Sequence, residues 1–234
     1  EGTAEQAMRP GERIPIVNPD AHAADVLTEM EERGSGEAAV VTNTVFQGNS
    51  ATLSGGSVAL ESLQCQYPID NRISNCVFVG NSTAGTTTSV WSSICAEGVT
   101  RVENCTFLGE TLGGELVIAS SILRGVPAPV LSATQVSWSD VEGGWPGEGN
   151  VDADPLFADA QAGDVHLLPA SPCRNAGDPA LAAEPDAFDL DGGPRVLEGR
   201  VDMGADEFAD DCNANGIADW LDLQSGPSQD CGGD

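Results

Sequence analysis

Apolar and polar positions recur along the chain in a unit that begins with asparagine and contains one phenylalanine. The unit reads N-T-V-F-Q-G-N from Asn43, N-C-V-F-V-G-N from Asn75 and N-C-T-F-L-G-E from Asn104. Each copy is followed by a turn rich in Gly, Ser and Thr and by a second apolar run, such as G-G-S-V-A-L at 55–60 or G-G-E-L-V-I-A at 113–119. Short apolar segments between small polar turns, without helical periodicity, predict β-strands.

A unit of this size cannot bury its own apolar face, so its recurrence predicts that successive copies stack. We therefore expect an all-β fold, namely a right-handed parallel β-helix (a solenoid) that ends in a short calcium-loop tail. Phe46, Phe78 and Phe107 should form an inward ladder. The asparagines that begin the units should form a second ladder at a corner, because Asn tolerates left-handed backbone angles. A β-sandwich with recurring strands is the alternative.

The pattern divides the chain into three segments. Residues 1–37 are a lead-in, 38–208 the β-helix with its closing coils, and 209–234 a calcium-binding repeat whose second copy is truncated. Within the lead-in, A-D-V-L-T-E-M-E-E-R at 24–33 has the apolar spacing of a short amphipathic helix. Such a helix would cap the open end of the β-helix, and a disordered lead-in is the alternative.

The cysteines follow the same register. Cys76 and Cys105 occupy equivalent places in successive units, and so do Cys65 and Cys95. Stacked equivalent positions lie roughly 4.8 Å apart, which falls within the roughly 4.4 to 6.8 Å between bridged Cα atoms, so bridges between coils are possible. Bridges within each coil, from Cys65 to Cys76 and from Cys95 to Cys105, are slightly favoured because stacked side chains point side by side. Cys173 has no obvious mate and is expected to be a buried free thiol.

The net charge of the chain limits the classes of partner that it can bind. The chain has 37 acidic residues against 9 basic ones and a net charge of -28, and it contains no lysine. A chain this negative is a poor ligand for nucleic acid, which requires clustered cations. Cations, neutral glycans and proteins remain as partners.

Composition also bears on location. Seven cysteines in an acidic, lysine-free chain favour an oxidising compartment. No run reaches the roughly 18 to 20 consecutive apolar residues of a membrane span. The N-terminus lacks the pattern of a signal peptide, so we expect the chain to be mature, trimmed or a fragment.

The pattern changes after residue 135. The chain reads V-S-W-S-D-V-E-G-G-W-P-G-E-G-N-V-D-A-D-P-L-F, then G-D-V-H-L-L-P-A-S-P-C-R-N-A-G-D-P, then D-L-D-G-G-P-R-V-L-E-G-R-V-D-M-G-A-D-E-F. In this order it contains N-x-D-x-D-P-x-F, S-P-x-x-x-A-G-D, D-x-D-G-x-x-R and V-D-x-G-A-x-E. These motifs resemble the end of bacterial surface β-helix proteins of the choice-of-anchor Q type. The resemblance covers 136–208 and implies a secreted β-helix held at the cell surface, with no assigned reaction.

The acids of these motifs have two interpretations. They are Asp152, Asp154, Asp189, Asp191, Asp202, Asp206 and Glu207. Glycoside cleavage uses two carboxyl groups at a fixed separation. Capping of backbone N–H groups in turns, such as the tight turn at Asp191-Gly192, is favoured instead. Arg195 and Arg200 are expected to pair with the acids. His22 and His166 have no neighbouring ligand pattern, so no zinc site is predicted.

The tail D-C-N-A-N-G-I-A-D-W-L-D at 211–222 matches the calcium-loop template. Loop positions 1, 3, 5, 7, 9 and 12 are Asp211, Asn213, Asn215, the carbonyl of Ile217, Asp219 and Asp222. The run resembles dockerin and other secreted calcium repeats, and its asparagines and its final aspartate favour modest affinity. A solvated acidic tail without an ion is the alternative.

A second loop starts with D-C-G-G-D at 230–234 and is cut short, which suggests that the sequence stops partway through a longer protein. Cys212 and Cys231 hold the same place in the two starts. A disulfide bridge between them is therefore predicted.

These patterns predict an extracellular structural or adhesive protein, secreted or displayed at a cell surface, with calcium as its bound ion. Its partners would be surface glycans or further copies of itself. End-to-end assembly into fibres is available because β-helix ends expose unpaired strand edges, unless the lead-in and the tail cap them.

The alternative is a polysaccharide-binding or polysaccharide-cleaving protein similar to pectate lyases. Such lyases need calcium-binding acids beside a basic residue that abstracts a proton. Arg72, Arg101 and Arg124 fall near corners or ends of different coils, outside any cluster of acids. A groove lined by Trp91, Trp138 or Trp145 would favour glycan binding, but Trp138 and Trp145 also fit as lids over the last coils. The sequence therefore argues against a lyase or glycoside hydrolase.

Overall fold

The computed structural model describes residues 26–29, 40–51, 58–61, 70–83, 90–93, 99–114, 116–126, 135–181 and 188–210. All of the regular secondary structure in these ranges is β-strand. In chain order they are β1 (Val26–Glu29), β2 (Val40–Thr42), β3 (Val45–Gln47), β4 (Ser50–Ala51), β5 (Val58–Glu61), β6 (Asp70–Ser74), β7 (Val77–Val79), β8 (Ser82–Thr83), β9 (Val90–Ser93), β10 (Val99–Glu103), β11 (Thr106–Leu108), β12 (Leu112–Gly114), β13 (Leu116–Ala119), β14 (Ile122–Arg124), β15 (Gln135–Ser137), β16 (Asp140–Val141), β17 (Phe157–Asp159) and β18 (Asp164–Leu167).

Three parallel sheets contain most of these strands. The first sheet has the order β1-β5-β9-β12, the second β2-β6-β10-β13-β15 and the third β3-β7-β11-β14-β16. Among the strands of these three sheets, those that follow each other in the chain lie in different sheets, and the equivalent strands of successive units are hydrogen-bonded neighbours. The prediction of an all-β fold with parallel strands is confirmed.

The predicted phenylalanine ladder is present on the face of the third sheet that points into the core. Phe46, Phe78 and Phe107 are Cα partners in the register, and their rings stack with centroids 4.9 and 4.8 Å apart and planes within 4°. Leu123 and Val141 continue the row on β14 and β16. The second sheet contributes Val41, Ile73, Val102, Ile118 and Val136 to the same core.

The predicted asparagine corner is confirmed as well. Asn43, Asn75 and Asn104 have φ values of 52°, 53° and 51°, in the left-handed region that Asn tolerates better than most residues. Ser120 and Trp138 take φ values of 49° at the equivalent place. They begin fourth and fifth units that the sequence pattern did not reveal, since neither starts with Asn and neither contains Phe.

A ladder of hydrogen bonds follows this corner. The hydroxyl groups of Ser121 and Ser139 each donate to the carbonyl two residues earlier, at 2.8 Å. They also accept the N–H of the equivalent residue in the preceding unit: Ser121 Oγ from Cys105 and Ser139 Oγ from Ser121, both at 3.1 Å. The thiols of Cys76 and Cys105 hold the same position and donate to the carbonyls of Ser74 and Glu103.

This ladder corrects the disulfide predictions. Cys76 and Cys105 are buried free thiols, so the predicted bridges to Cys65 and Cys95 are wrong, and so is the alternative bridge between Cys76 and Cys105. The two thiols act as replacements for serine in the hydrogen-bond ladder. Cys65 and Cys95 themselves lie outside the described residues. The predicted buried free thiol of Cys173 is confirmed.

A loop closes the C-terminal end of the stack. Asn150 accepts the N–H of Ser139 at 3.1 Å and donates to the carbonyl of Val136 at 2.9 Å, so its amide takes the place of the next unit's backbone. Val151 pairs with Asp140, and Trp145 packs against the core. The interpretation of Trp145 as a lid is therefore confirmed.

The described residues of 152–208, called the outer layer from here on, do not form the closing coils that the sequence predicted. Their strands β17 and β18 pair antiparallel with each other. The layer packs on the outward face of the third sheet, where Val77 belongs to one buried cluster with Val165 and Ala205, and Ile122 to another with Leu167. The N–H of Ala205 donates to Thr106 Oγ1 at 3.0 Å.

The alternation of side chains along a strand explains this packing. Val77, Thr106 and Ile122 are Cα partners that flank the phenylalanine ladder and so point to the opposite side of the sheet. A strand that is apolar on both faces, such as V-F-V at β7, has to be covered on both faces.

The helix predicted at 24–33 is wrong where the structure describes it. Val26–Glu29 is strand β1, which pairs in parallel with β5 in the register Val26↔Val58. Pairing with the similar run V-A-L-E overrides the local helical spacing, because strand formation depends on the neighbour that is available.

Removal of a ring from the middle of the ladder tests the core. Phe78→Ala should lower the free energy of unfolding by about 3–5 kcal/mol, because the cavity lies between two stacked rings. Urea unfolding followed by circular dichroism measures the change. Arg101→Ala, on the exposed side of β10, should stay within about 0.5 kcal/mol of the wild type. A cost for Phe78→Ala no larger than that of Arg101→Ala would contradict the stacked core.

The thiol assignment has a direct chemical test. Without any reductant, Cys76, Cys105 and Cys173 should resist alkylation in the native protein, because all three are buried, and should react once guanidinium unfolds it. Peptide mapping by mass spectrometry reads each site. A disulfide-linked peptide that contains any of the three would refute the assignment.

Candidate functional site

The predicted calcium ligands Asp211, Asn213, Asn215, Ile217, Asp219 and Asp222 lie outside the described residues, as does the predicted bridge from Cys212 to Cys231. Calcium at this loop therefore stays a prediction. The described part of the chain places a different group of ionisable side chains together, in the outer layer.

The centre of this group is His166 on β18. Asp159 accepts the N–H groups of Gln161 and Ala162, both at 3.1 Å, and so shapes the turn between β17 and β18. Asp164 and His166 are two residues apart on β18 and therefore share one side of the strand. The Nδ1 atom of His166 lies 2.5 Å from Asp164 Oδ1.

A second segment brings Asp191 to the other side of the imidazole. Asp189 Oδ1 accepts the N–H of Asp191 at 3.0 Å and that of Gly193 at 2.5 Å. Gly192 has a φ of 82°, so the predicted tight Asp-Gly turn is confirmed. The turn directs Asp191 Oδ1 to within 3.0 Å of His166 Nε2.

A third segment supplies Asp206. This residue is only 4% exposed, and its Oδ2 accepts the N–H of Leu167 at 2.7 Å. One nitrogen of His166 and one carboxylate oxygen each of Asp191 and Asp206 lie within 4.8 Å of one another. Asp164, His166, Asp191 and Asp206 are called the His166 cluster.

Burial and the neighbouring charges shift the pKa values of all four residues in the cluster. Hydrogen bonds to Asp191 and Asp164 raise the pKa of His166 to about 10 against the opposing effect of burial. The same hydrogen bonds lower the pKa of Asp164 and of Asp191. Burial raises the pKa of Asp206 to about 6. At neutral pH the cluster is therefore an imidazolium held between ionised carboxylates.

Beside the cluster lies a buried pair of Arg195 and Glu207. The Arg195 guanidinium donates to the carbonyls of Ala205 and Gly204, both at 3.1 Å, and lies 3.7 Å from Glu207 Oε2. Burial, followed by the neighbouring Asp202 charge, raises the pKa of Glu207 to about 8. The prediction that Arg195 pairs with the acids is confirmed.

Arg200 is different. Its side chain donates to the carbonyls of Gly177 and Ala176 at 2.5 and 3.0 Å, and its guanidinium stacks on the Trp138 ring at 4.9 Å. The prediction that Arg200 pairs with an acid is wrong.

The capping interpretation of the motif acids is confirmed at several positions. Asp202 accepts the N–H groups of Asn175 and Phe208 at 2.5 and 2.7 Å, and Glu207 accepts that of Asp202 at 3.0 Å. Asp154 accepts the N–H of Leu156 at 3.0 Å. These carboxylates satisfy backbone donors that the irregular outer layer would otherwise leave unpaired.

One arginine does lie among acids, against the sequence prediction. Arg124 on β14 donates to the fully buried Asp140 at 2.5 Å and lies 3.7 Å from Asp152. Its guanidinium is held by these carboxylates and is not free to abstract a proton. The neighbouring Cys173 thiol has a raised pKa because of burial and the Asp140 charge, so it is not an activated nucleophile.

Sequence reasoning missed the His166 cluster because its members come from three segments. The single local signal is Asp164 two residues before His166, in the strand-like run G-D-V-H-L-L. In a strand this spacing places a carboxylate beside the imidazole, but the sequence does not show that Asp191 and Asp206 return to the same place.

The described ionisable groups predict how stability depends on pH. The folded pKa values of Asp206 and Glu207 are raised from 3.8 to about 6 and from 4.5 to about 8, so ionisation of these acids destabilises the fold as pH rises. The raised pKa of His166 means that its protonated form stabilises the fold. This contribution is fully present below about pH 6.5 and is lost as the pH rises toward about 10. Asp164 and Asp191 have lowered pKa values, and their contribution is lost only as pH falls below 3.8.

We therefore expect the melting temperature to fall steadily from pH 5 to pH 10, measured by calorimetry in a metal chelator. Glu207→Gln should flatten the decline between about pH 4.5 and 8, and His166→Gln should flatten it above about pH 6.5. Glu148→Gln, on the exposed loop, is the matched control and should keep the wild-type profile. A melting temperature that rises between pH 6 and 9 would contradict this account.

Within the described ranges, the structure contains no helix that is long and apolar enough to cross a membrane. In comparisons with known proteins, no family model, no curated protein and no solved structure matches the chain.

Proposed function

We propose that this chain is an extracellular structural or adhesive protein whose parallel sheets form a right-handed β-helix rod. The rod is displayed at a cell surface and is stabilised by calcium at the tail. One observation carries the proposal: equivalent strands of successive units are neighbours in three separate sheets, in a constant register. A chain that adds strands one at a time to the same parallel sheets has the topology expected of a solenoid.

The interior supports a stiff rod. Each step along the stack is held by a phenylalanine ring or its apolar equivalent, by a left-handed corner residue and by side-chain hydrogen bonds to the next unit. The rings stack through the first three units, and the hydroxyl hydrogen bonds link the third unit to the fourth and the fourth to the fifth. Bending would disturb all of them at once, which suits a spacer or a display element.

The use of the acids supports a structural role over a catalytic one. Asp189, Asp202 and Glu207 each accept two backbone N–H groups, and Asp206 accepts one. Arg124 is neutralised by Asp140. A lyase of this architecture would need a basic group free to take a proton, and this side chain is not free to do so.

The ends of the stack limit how copies could assemble. Asn150 and Val151 already occupy the C-terminal edge. Assembly end to end would therefore use the N-terminal edge formed by β2 and β3, where Val45 is 53% exposed. As an adhesive protein, the chain would bind neutral glycans or proteins, since a net charge of -28 repels polyanions.

Calcium binding tests the proposed tail. Millimolar calcium should raise the melting temperature of the full chain and protect its tail from proteolysis, because an ion that binds only the folded loop stabilises the folded state. Asp211→Ala should abolish both effects, whereas Asp210→Ala, one residue before the loop, should retain them. Titration calorimetry without a calcium signal, together with an unchanged Asp211→Ala variant, would refute the calcium proposal.

The structural role itself is tested by activity and shape. The full chain, incubated with acidic and neutral polysaccharides, should release no unsaturated or reducing ends. Size-exclusion chromatography with light scattering, and electron microscopy, should show elongated monomers or end-joined particles. Turnover of any of these polymers would favour the lyase or hydrolase alternative and overturn the structural assignment.

A further inference from the structure

We propose that the His166 cluster binds a divalent transition-metal ion such as Zn²⁺, through His166 Nε2 and the carboxylates of Asp191 and Asp206. No sequence motif marks this site, and it is separate from the calcium loop predicted in the tail. It would join three segments of the outer layer: the β17–β18 hairpin, the turn at 189–193 and the segment that ends at 208.

The distances suit such an ion. The three ligand atoms lie within 4.8 Å of one another. In a tetrahedral site with bonds of about 2.0–2.2 Å, ligand atoms are roughly 3.3 Å apart, so small side-chain movements would close the site around the metal. Water would complete the coordination on the exposed side, where the Asp191 side chain is 63% exposed.

The orientation of the imidazole is a further argument. Metal-ligating histidines usually donate their second ring N–H to a carboxylate, which fixes the ring. His166 has this arrangement: Nδ1 contacts Asp164 at 2.5 Å, and Nε2 faces Asp191 at 3.0 Å. Asp164 would therefore be the positioning residue, and Nε2 would become the ligand atom when the metal ion displaces its proton to solvent.

Asp206 supplies a buried carboxylate to the proposed site. Its carboxylate is 4% exposed, and among the described residues only the N–H of Leu167 donates to it. A buried carboxylate usually requires more compensation than one neutral donor. The singly charged His166 imidazolium faces it, together with the carboxylates of Asp164 and Asp191. A divalent ion bound to neutral His166 would bring one more positive charge to these three carboxylates.

The donor set favours one class of metal. An imidazole nitrogen with two carboxylates suits Zn²⁺, Co²⁺ or Ni²⁺, whereas Ca²⁺ takes oxygen ligands only. The predicted calcium loop contains no histidine. The two sites can therefore be distinguished by metal and by spectrum.

Cobalt is the probe that reports on the ligands. Titration of the full chain with Co²⁺ should produce the visible absorption bands of a low-coordinate site with a nitrogen ligand, at one ion per chain, and Zn²⁺ should displace it. His166→Gln should abolish the bands, and Asp191→Asn should weaken binding at least tenfold. His22→Gln, which alters the other histidine, should bind as the wild type does.

The same variants distinguish this inference from the proposed function. Asp211→Ala should lose the calcium response but keep the cobalt spectrum. Because Asp191 is exposed, Asp191→Asn is expected to fold normally, and circular dichroism confirms that both cluster variants are folded. If the wild type shows no cobalt bands, or if folded His166→Gln binds as tightly as the wild type, the site does not exist.

Discussion

The fold depends on one backbone constraint, repeated at each level: a residue with a φ near 50° at the corner between the second and third sheets. This conformation turns the chain sharply and ends one strand at the same place in every unit. It thereby sets the register of the strands on both sides of the corner. A slip by one residue would move the phenylalanine ladder from the core to the opposite face of the third sheet, so the corner and the core specify each other. Asn75 and Asn104 hold the corner in the middle of the stack, where Ser121 and Ser139 extend the hydrogen-bond ladder beyond them.

The outer layer follows from the same register. Since Phe78 points inward, its neighbours Val77 and Val79 point outward, and an apolar outward row requires a cover. In its described residues the cover is irregular chain apart from the short β17–β18 hairpin, so many of the N–H groups there lack partners in a sheet. Buried carboxylates satisfy these donors, which explains why acids are concentrated in this part of the molecule. Their burial has a cost, which appears in the raised pKa values of Asp206 and Glu207 and in the arginine buried beside them.

The sequence was informative where a physical requirement repeats, and uninformative where it occurs once. Phe46, Phe78 and Phe107 recur with their asparagines, so the pattern revealed the ladder and the parallel sheets. Ser120 and Trp138 meet the same backbone requirement with different side chains, and these two units were missed. The thiols of Cys76 and Cys105 replace serine in a hydrogen-bond ladder, which cysteine spacing cannot distinguish from a bridge. The position of the outer layer, and with it the meeting of His166 with Asp191 and Asp206, depends on long-range packing that no local pattern encodes.

The location of the His166 cluster limits what an ion there could do. The cluster lies in the outer layer, and its hydrogen bonds connect segments of that layer. An ion would therefore strengthen the attachment of the hairpin to the turn at 189–193 without changing the register of the sheets. The outer layer also covers the third sheet through Val165 and Ala205, so its loosening would expose the apolar row of Val77 and Ile122. These four side chains therefore affect how firmly the outer layer is attached to the third sheet, and not the register of the sheets.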